Sequence, residues 1–114
     1  MESLFVYGTL APGQPNEHFL RDIGGCWEAG HVRGYLYPQG IGPTAGYPAL
    51  DLSRPVSIIQ GLLFSSPDLS KHWATIDAFE GDGYQRVKTQ VTRADGSIVD
   101  AYIYALDLYE RYAF

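Results

Sequence analysis

The stretch CWEAGHVRGYLY, residues 26–37, mixes β-forming residues with two interior glycines, Gly30 and Gly34. Glycine inside a strand pattern marks a bulge or a sharp bend, as at the corner of a barrel. The same signature recurs in SIIQGLLF, residues 57–64, with Gly61 in its interior. SLFVYG, residues 3–8, is a short and nearly continuous apolar run, which predicts a strand buried on both faces. YQRVKTQVTR (84–93) and SIVDAYIYAL (97–106) alternate and flank Ala94-Asp95-Gly96, the strongest hairpin signal in the chain. Alternation puts Tyr102 and Tyr104 on one face of the last strand and Ala101, Ile103 and Ala105 on the other.

Two segments read as helices. NEHFLRD (16–22) can form about two turns, with Asn16 as cap and Phe19 and Leu20 inward. SSPDLSKHWATIDAFEG (65–81) predicts a turn at Pro67 and a helix from about Ser70 to Glu80. Trp73 and Ile76 share its inner face, Phe79 or Glu80 completes it, and Gly81 stands where a C-cap belongs. PQGIGPTAGYP (38–48) is the densest Gly/Pro segment and reads as a long loop. A doubly wound fold would need regular strand–helix alternation, which is missing. The expected fold is α+β: a small mixed, strongly curved β-barrel with two flanking α-helices.

At 114 residues the chain is read as one domain, 1–114. Its 46% hydrophobic and 14% aromatic content is that of a globular protein. No apolar run approaches the roughly 18 residues of a membrane span. The N-terminal residues lack the basic flank and long apolar core of a signal peptide. The single cysteine, Cys26, excludes an internal disulfide and suits a reduced, cytoplasmic protein with a buried thiol. A net charge of −5 argues against nucleic acid or an anionic membrane as partner, though not against a small anionic ligand.

The loop VYGTLAPGQPN (6–16) superficially resembles a phosphate-binding loop, but Gln14 and Pro15 stand where Lys and Ser or Thr are needed. Two readings remain. The backbone N–H groups of Gly8, Thr9 and Leu10 converge into a small anion cradle, or Gly8 permits a turn and Leu10 plugs the core. No metal site stands out, because His18, His31 and His72 are scattered and Cys26 sits in no ligand motif. Glu80 is the informative acid. At a helix C-terminus the dipole, the neighbouring Asp77 and Asp82, and partial burial beside Phe79 all push its pKa upward. Such a carboxyl can accept and donate a proton near neutral pH; the plainer alternative is a solvated surface glutamate. Asp77, one turn earlier, is expected to make polar contacts near the helix end. Among nine tyrosines, Tyr84, Tyr102 and Tyr104 fall in the last strand pair, where they wall a polar pocket or pack the core.

FVYGTL and GQPN, then YPAL, then IDAFEG leading into YQRV, and a last AYIY, together resemble the γ-glutamylcyclotransferase-like family. That group includes the AIG2-like, YtfP-type and γ-glutamylamine cyclotransferase proteins. The likeness runs from about Leu4 to Ala105. It implies a small barrel with flanking helices and one catalytic glutamate, which falls on Glu80. It also implies a substrate site at Tyr7, Gly8, Thr9 and Leu10, with Tyr84 and Tyr104 orienting Glu80 or lining the pocket and Tyr47 near the rim. The implied reaction is attack of a γ-glutamyl group's α-amine on its own side-chain carbonyl, giving 5-oxoproline and a free amine without metal or organic cofactor. A non-catalytic binder of a γ-glutamyl or oxoproline-like metabolite is the alternative. Removal of a γ-glutamyl protecting group in a biosynthetic pathway would use the same chemistry. Ala11-Pro12 replaces the basic pair of γ-glutamylamine relatives, so their leaving group is not carried over. No long tail follows the last strand before Phe114, which leaves room for large amines.

Overall fold

A computed structural model describes residues 1–8, 10–81 and 83–106. In chain order the elements are β1 (Glu2–Val6), α1 (His18–Arg21), β2 (Cys26–Tyr37), β3 (Ala49–Asp51), β4 (Ser57–Ser66), α2 (Trp73–Glu80), β5 (Tyr84–Arg93) and β6 (Ile98–Leu106). The strands lie in the order β3-β2-β4-β1-β6-β5, and β5 returns to β2 through Gly30↔Arg93 and His31↔Thr92. Five strands thus close into a barrel, with β3 attached outside the ring on β2. The β1–β6 pair is parallel (Leu4↔Tyr102, Phe5↔Ile103) and the others are antiparallel, so the barrel is mixed.

The interior glycines explain how so few strands close. Gly30 faces Gly61 across the β2–β4 ladder and is also the residue at which β5 meets β2. A Cβ on Gly30 would lie 2.9 Å from Val91 Cγ1, and one on Gly61 would lie 2.5 Å from Phe5 Cζ. These are positions of close chain approach, where any side chain would collide. The hairpin between β5 and β6 forms as the sequence indicates. Gly96 takes a φ of +88°, and Asp95 Oδ1 accepts from the Ser97 amide and hydroxyl.

Strand alternation divides the apolar residues into two cores. Phe5, Val32, Leu50, Leu63, Val91, Ala101 and Ile103 fill the barrel. Leu4, Val6, Leu20, Phe64, Leu69, Trp73, Ile76 and Tyr104 form a second layer between the outer barrel wall and the helices. β1 is therefore buried on both faces, and Tyr102 and Tyr104 do face away from Ala101 and Ile103.

Several expectations need correction. α1 is a single turn, and its N-cap is Glu17 rather than Asn16, without a side-chain capping bond. Before α1 the chain descends through successive turns, Ala11 N–H to Gly8 O, Gln14 N–H to Ala11 O and Glu17 N–H to Gln14 O. α2 starts at Trp73, because Leu69–Lys71 form a separate 3₁₀ turn that breaks at His72. β3, only three residues long, lies just beyond the predicted loop. Cys26 is exposed, not buried. It opens β2 at a point beyond the reach of β5, which meets β2 only at Gly30 and His31. Among the described residues, no helix is long and apolar enough to cross a membrane.

Candidate active site

β1 leaves the ladder at Val6, and the next residues turn over the barrel mouth. A cleft of about 330 Å³ opens there, between this turn, the Tyr47-Pro48 loop and the last turn of α2. Tyr7, Gly8, Leu10, Tyr47, Glu80, Tyr84 and Tyr104 all border it, joined by Asn16 and Phe79. Residues separated by most of the chain length are thereby brought together. Thr9 lies outside the described residues.

Each tyrosine is fixed by its own hydroxyl. Tyr7 donates to the Tyr104 carbonyl at 2.5 Å, and burial drives its phenol well above the usual range. Tyr84, the first residue of β5, donates to the Pro48 carbonyl at 2.5 Å and so pins the loop before β3 to the rim. Burial, then the nearby Glu80, pushes its pKa up to about 12. Tyr104 donates to Asp77 Oδ1 at 2.6 Å, and burial followed by that carboxylate raises its pKa strongly. Tyr84 and Tyr104 thus line the cleft, but among the described residues neither hydroxyl is directed to Glu80. Tyr47 is 59% exposed and stands at the rim.

Glu80 ends α2, just before Gly81 (φ +71°) stops the helix. Its carboxyl is half-buried and makes no hydrogen bond or ion pair among the described residues. Burial alone pushes its pKa up to about 7. Neither the helix end nor Asp77 is needed for the shift. Asp77 is drawn off by Arg86, whose Nε and Nη2 lie 3.0 and 3.4 Å from its two oxygens. Asp82 lies outside the described residues.

Of the two readings of the opening loop, the burial of Leu10 matches part of the second. Leu10 is buried (4% exposed) in the outer core, yet it also borders the cleft. Gly8 is not needed for backbone reasons: its φ is not positive, and a Cβ there would meet no atom within 4 Å. Its missing side chain leaves open space on the cleft wall. The amides of Gly8 and Leu10 donate no backbone hydrogen bond among the described residues. Sequence reasoning missed Asn16 and Pro48 as cleft residues. It also missed the Asp77–Arg86 clamp, for which the only signal was an acid and a base nine positions apart at the facing ends of two elements.

The model of the family described as gamma-glutamyl cyclotransferase, AIG2-like, matches residues 4–113. Among solved structures, YkqA from Bacillus subtilis is 26% identical with a TM-score of 0.70, over 93% of this chain and 36% of that one. This chain therefore spans about a third of the Bacillus protein. An AIG2-like protein from Mus musculus is 24% identical (TM-score 0.67; 96% of this chain, 79% of that one). A structure described as a gamma-glutamyl cyclotransferase is 14% identical (TM-score 0.62; 93% and 66%). At those identities the last two bear on the fold alone. A search of curated proteins finds no match.

Proposed function

The chain belongs to the gamma-glutamyl cyclotransferase, AIG2-like family, and from that premise we propose that it releases 5-oxoproline from a small γ-glutamyl amine or γ-glutamyl amino acid, with Glu80 as general acid and base. The observation that carries this reading is the Glu80 carboxyl, half-buried on the cleft wall, unbonded among the described residues, with a pKa near 7. A group that must take a proton and return it works best with a pKa near the working pH.

The nucleophile is already part of the substrate, so the cleft's contribution is to hold the γ-glutamyl chain folded, with its α-nitrogen against its side-chain carbonyl carbon. Glu80 takes a proton from the α-amine as the new C–N bond forms. The carbonyl oxygen gains negative charge, which in this reading the amides of Gly8 and Leu10 receive; among the described residues these amides donate no backbone hydrogen bond. The bond from that carbon to the leaving nitrogen then breaks, and Glu80 delivers the proton to it. One C–N bond replaces another, and one proton moves. Tyr7 and Tyr84, locked by their own hydrogen bonds, act as walls that keep the folded conformer from opening. A single exposed cysteine suits a reducing compartment, and we place the reaction in the cytoplasm.

The test is incubation with a panel of γ-glutamyl compounds and detection of 5-oxoproline. Glu80→Gln keeps the shape of the side chain but cannot accept a proton, and turnover is expected to fall by at least about a hundredfold. Near-wild-type turnover in that variant would sink the mechanism. Silence of the wild type across the panel, with 5-oxoproline still bound, would make the protein a metabolite binder instead.

A further inference from the structure

A second cleft of about 300 Å³ is lined by Asp77, Glu80, Tyr84, Gln85, Arg86 and Tyr104. Glu80, Tyr84 and Tyr104 border both clefts, so the two adjoin at these residues. A single acid/base that serves both the attacking and the departing nitrogen must have the scissile amide beside it. With the γ-glutamyl chain in the first cleft, the leaving group extends into the second. We propose that this second cleft is the leaving-group site, and that Arg86 selects leaving groups bearing a carboxylate, so that the substrates are γ-glutamyl amino acids rather than simple γ-glutamyl amines. The proposal rests on the cyclotransferase reading above.

The choice of carboxylate follows from which hydrogen-bonding capacity is already used. Asp77 is well satisfied: Oδ1 accepts from Arg86 Nε at 3.0 Å and from the Tyr104 hydroxyl at 2.6 Å, and Oδ2 faces Arg86 Nη2 at 3.4 Å. A guanidinium has five N–H groups, and Asp77 takes two of these. Nη1 has no partner among the described residues. The guanidinium is held in orientation by two rings, 4.3 Å from the Trp73 centroid and 5.0 Å from that of Tyr102. Its side chain is only 25% exposed, so a partner there would be partly shielded from water. What the cleft has to spare is therefore cationic donors. A carboxylate complements them. An ammonium-ended leaving group would face the Arg86 guanidinium, with Asp77 already paired and Glu80 engaged with the reacting nitrogens, and an alkyl amine would give the spare N–H groups no partner.

The experiment compares γ-glutamyl-alanine with γ-glutamyl-alanine amide, which differ only in the charge of the terminal carboxyl group. Binding is measured on Glu80→Gln protein, so that it does not depend on turnover, and kcat and KM are measured on the wild type. The acid is expected to bind about tenfold or more tighter than the amide, the scale of one charge-assisted hydrogen bond, with the difference appearing in KM. Arg86→Gln should bring that ratio to near one. If Arg86→Gln does not fold by its melting curve, Arg86→Lys, which keeps the charge without the fork, should give an intermediate ratio. Equal affinity for the two ligands would overturn the site while leaving the cyclotransferase reading intact. Discrimination in binding without any 5-oxoproline from the wild type would support the site and overturn that reading.

Discussion

Glu80 carries opposite consequences for stability and for activity. Its folded pKa of about 7 lies above the ordinary value of 4.5, so between those values the native state holds a proton that the unfolded chain has lost. Stability from this group is therefore complete below about pH 4.5 and is lost as pH rises to about 7. The loss is at most roughly 3.5 kcal/mol, since each pKa unit corresponds to about 1.4 kcal/mol. Activity runs the other way, because proton acceptance needs the ionised form, and kcat/KM is expected to rise with pH through an acid limb near 7. Glu80→Gln should thus raise the melting temperature at pH 8 while removing turnover. A variant that melts lower than wild type at that pH would contradict the assignment of the shift to burial. Gly8 is the complementary test. Gly8→Ala adds a methyl into open space, so melting should change little, while kcat/KM should fall by about tenfold or more as the methyl occupies substrate volume. That Glu80 is a candidate was legible from its place before Gly81. Burial was among the three causes read from the sequence, but that it acts without the other two was not legible, because its extent is set by tertiary packing that no local pattern encodes.

α2 is anchored by side chains as well as by its Gly81 cap, whose N–H donates to the Asp77 carbonyl. Asp77 bonds to Arg86 on β5 and Tyr104 on β6, Trp73 Nε1 donates to Glu2 on β1 at 2.9 Å, and Phe79 stacks on Phe19 at 4.3 Å. Glu80 is one turn beyond Asp77, so this anchoring sets where its carboxyl stands. Asp77→Ala would leave the Tyr104 hydroxyl and the guanidinium without their acceptor, at a cost of about 1–3 kcal/mol. Thermal melting should show that cost, and kcat should drop more than KM rises because the proton carrier is displaced. A variant with unchanged melting and unchanged kcat would show that α2 is held by its apolar face alone. The elements themselves were largely readable: β1, β2, β4 and the final hairpin each had a period or a turn signal. β3 was not, since three residues cannot display a period. Asn16 had a capping identity, but α1 begins only at His18, with Glu17 as its N-cap, and runs a single turn.

At the scale of the molecule, closure depends on the glycine pair at which β2 and β4 are squeezed between β5 and β1. A Cβ on Gly61 would come within 2.5 Å of Phe5 Cζ and 2.6 Å of Val6 O. Gly61→Val should therefore destabilise the protein by about 1–3 kcal/mol or more, and urea unfolding measures it. Because Phe5 and Val6 lead directly into Tyr7 and Gly8, the same variant should lose activity beyond what its unfolded fraction explains. Curvature was legible from these glycines, yet the strand order was not, because pairing partners are chosen by the assembled barrel. The parallel pairing of β1 with β6 joins Leu4 to Tyr102, 98 positions later (102 − 4). During synthesis β1 must wait, with one of its edges unpaired, until nearly the whole chain has been made. The arrival of β6 then supplies its neighbour, the carbonyl that receives Tyr7 and the hydroxyl that holds Asp77, all from one strand. A nascent chain that stops before β6 has no partially competent site, and a refolding protein should regain its enzymatic activity and its native tyrosine environment at one common rate.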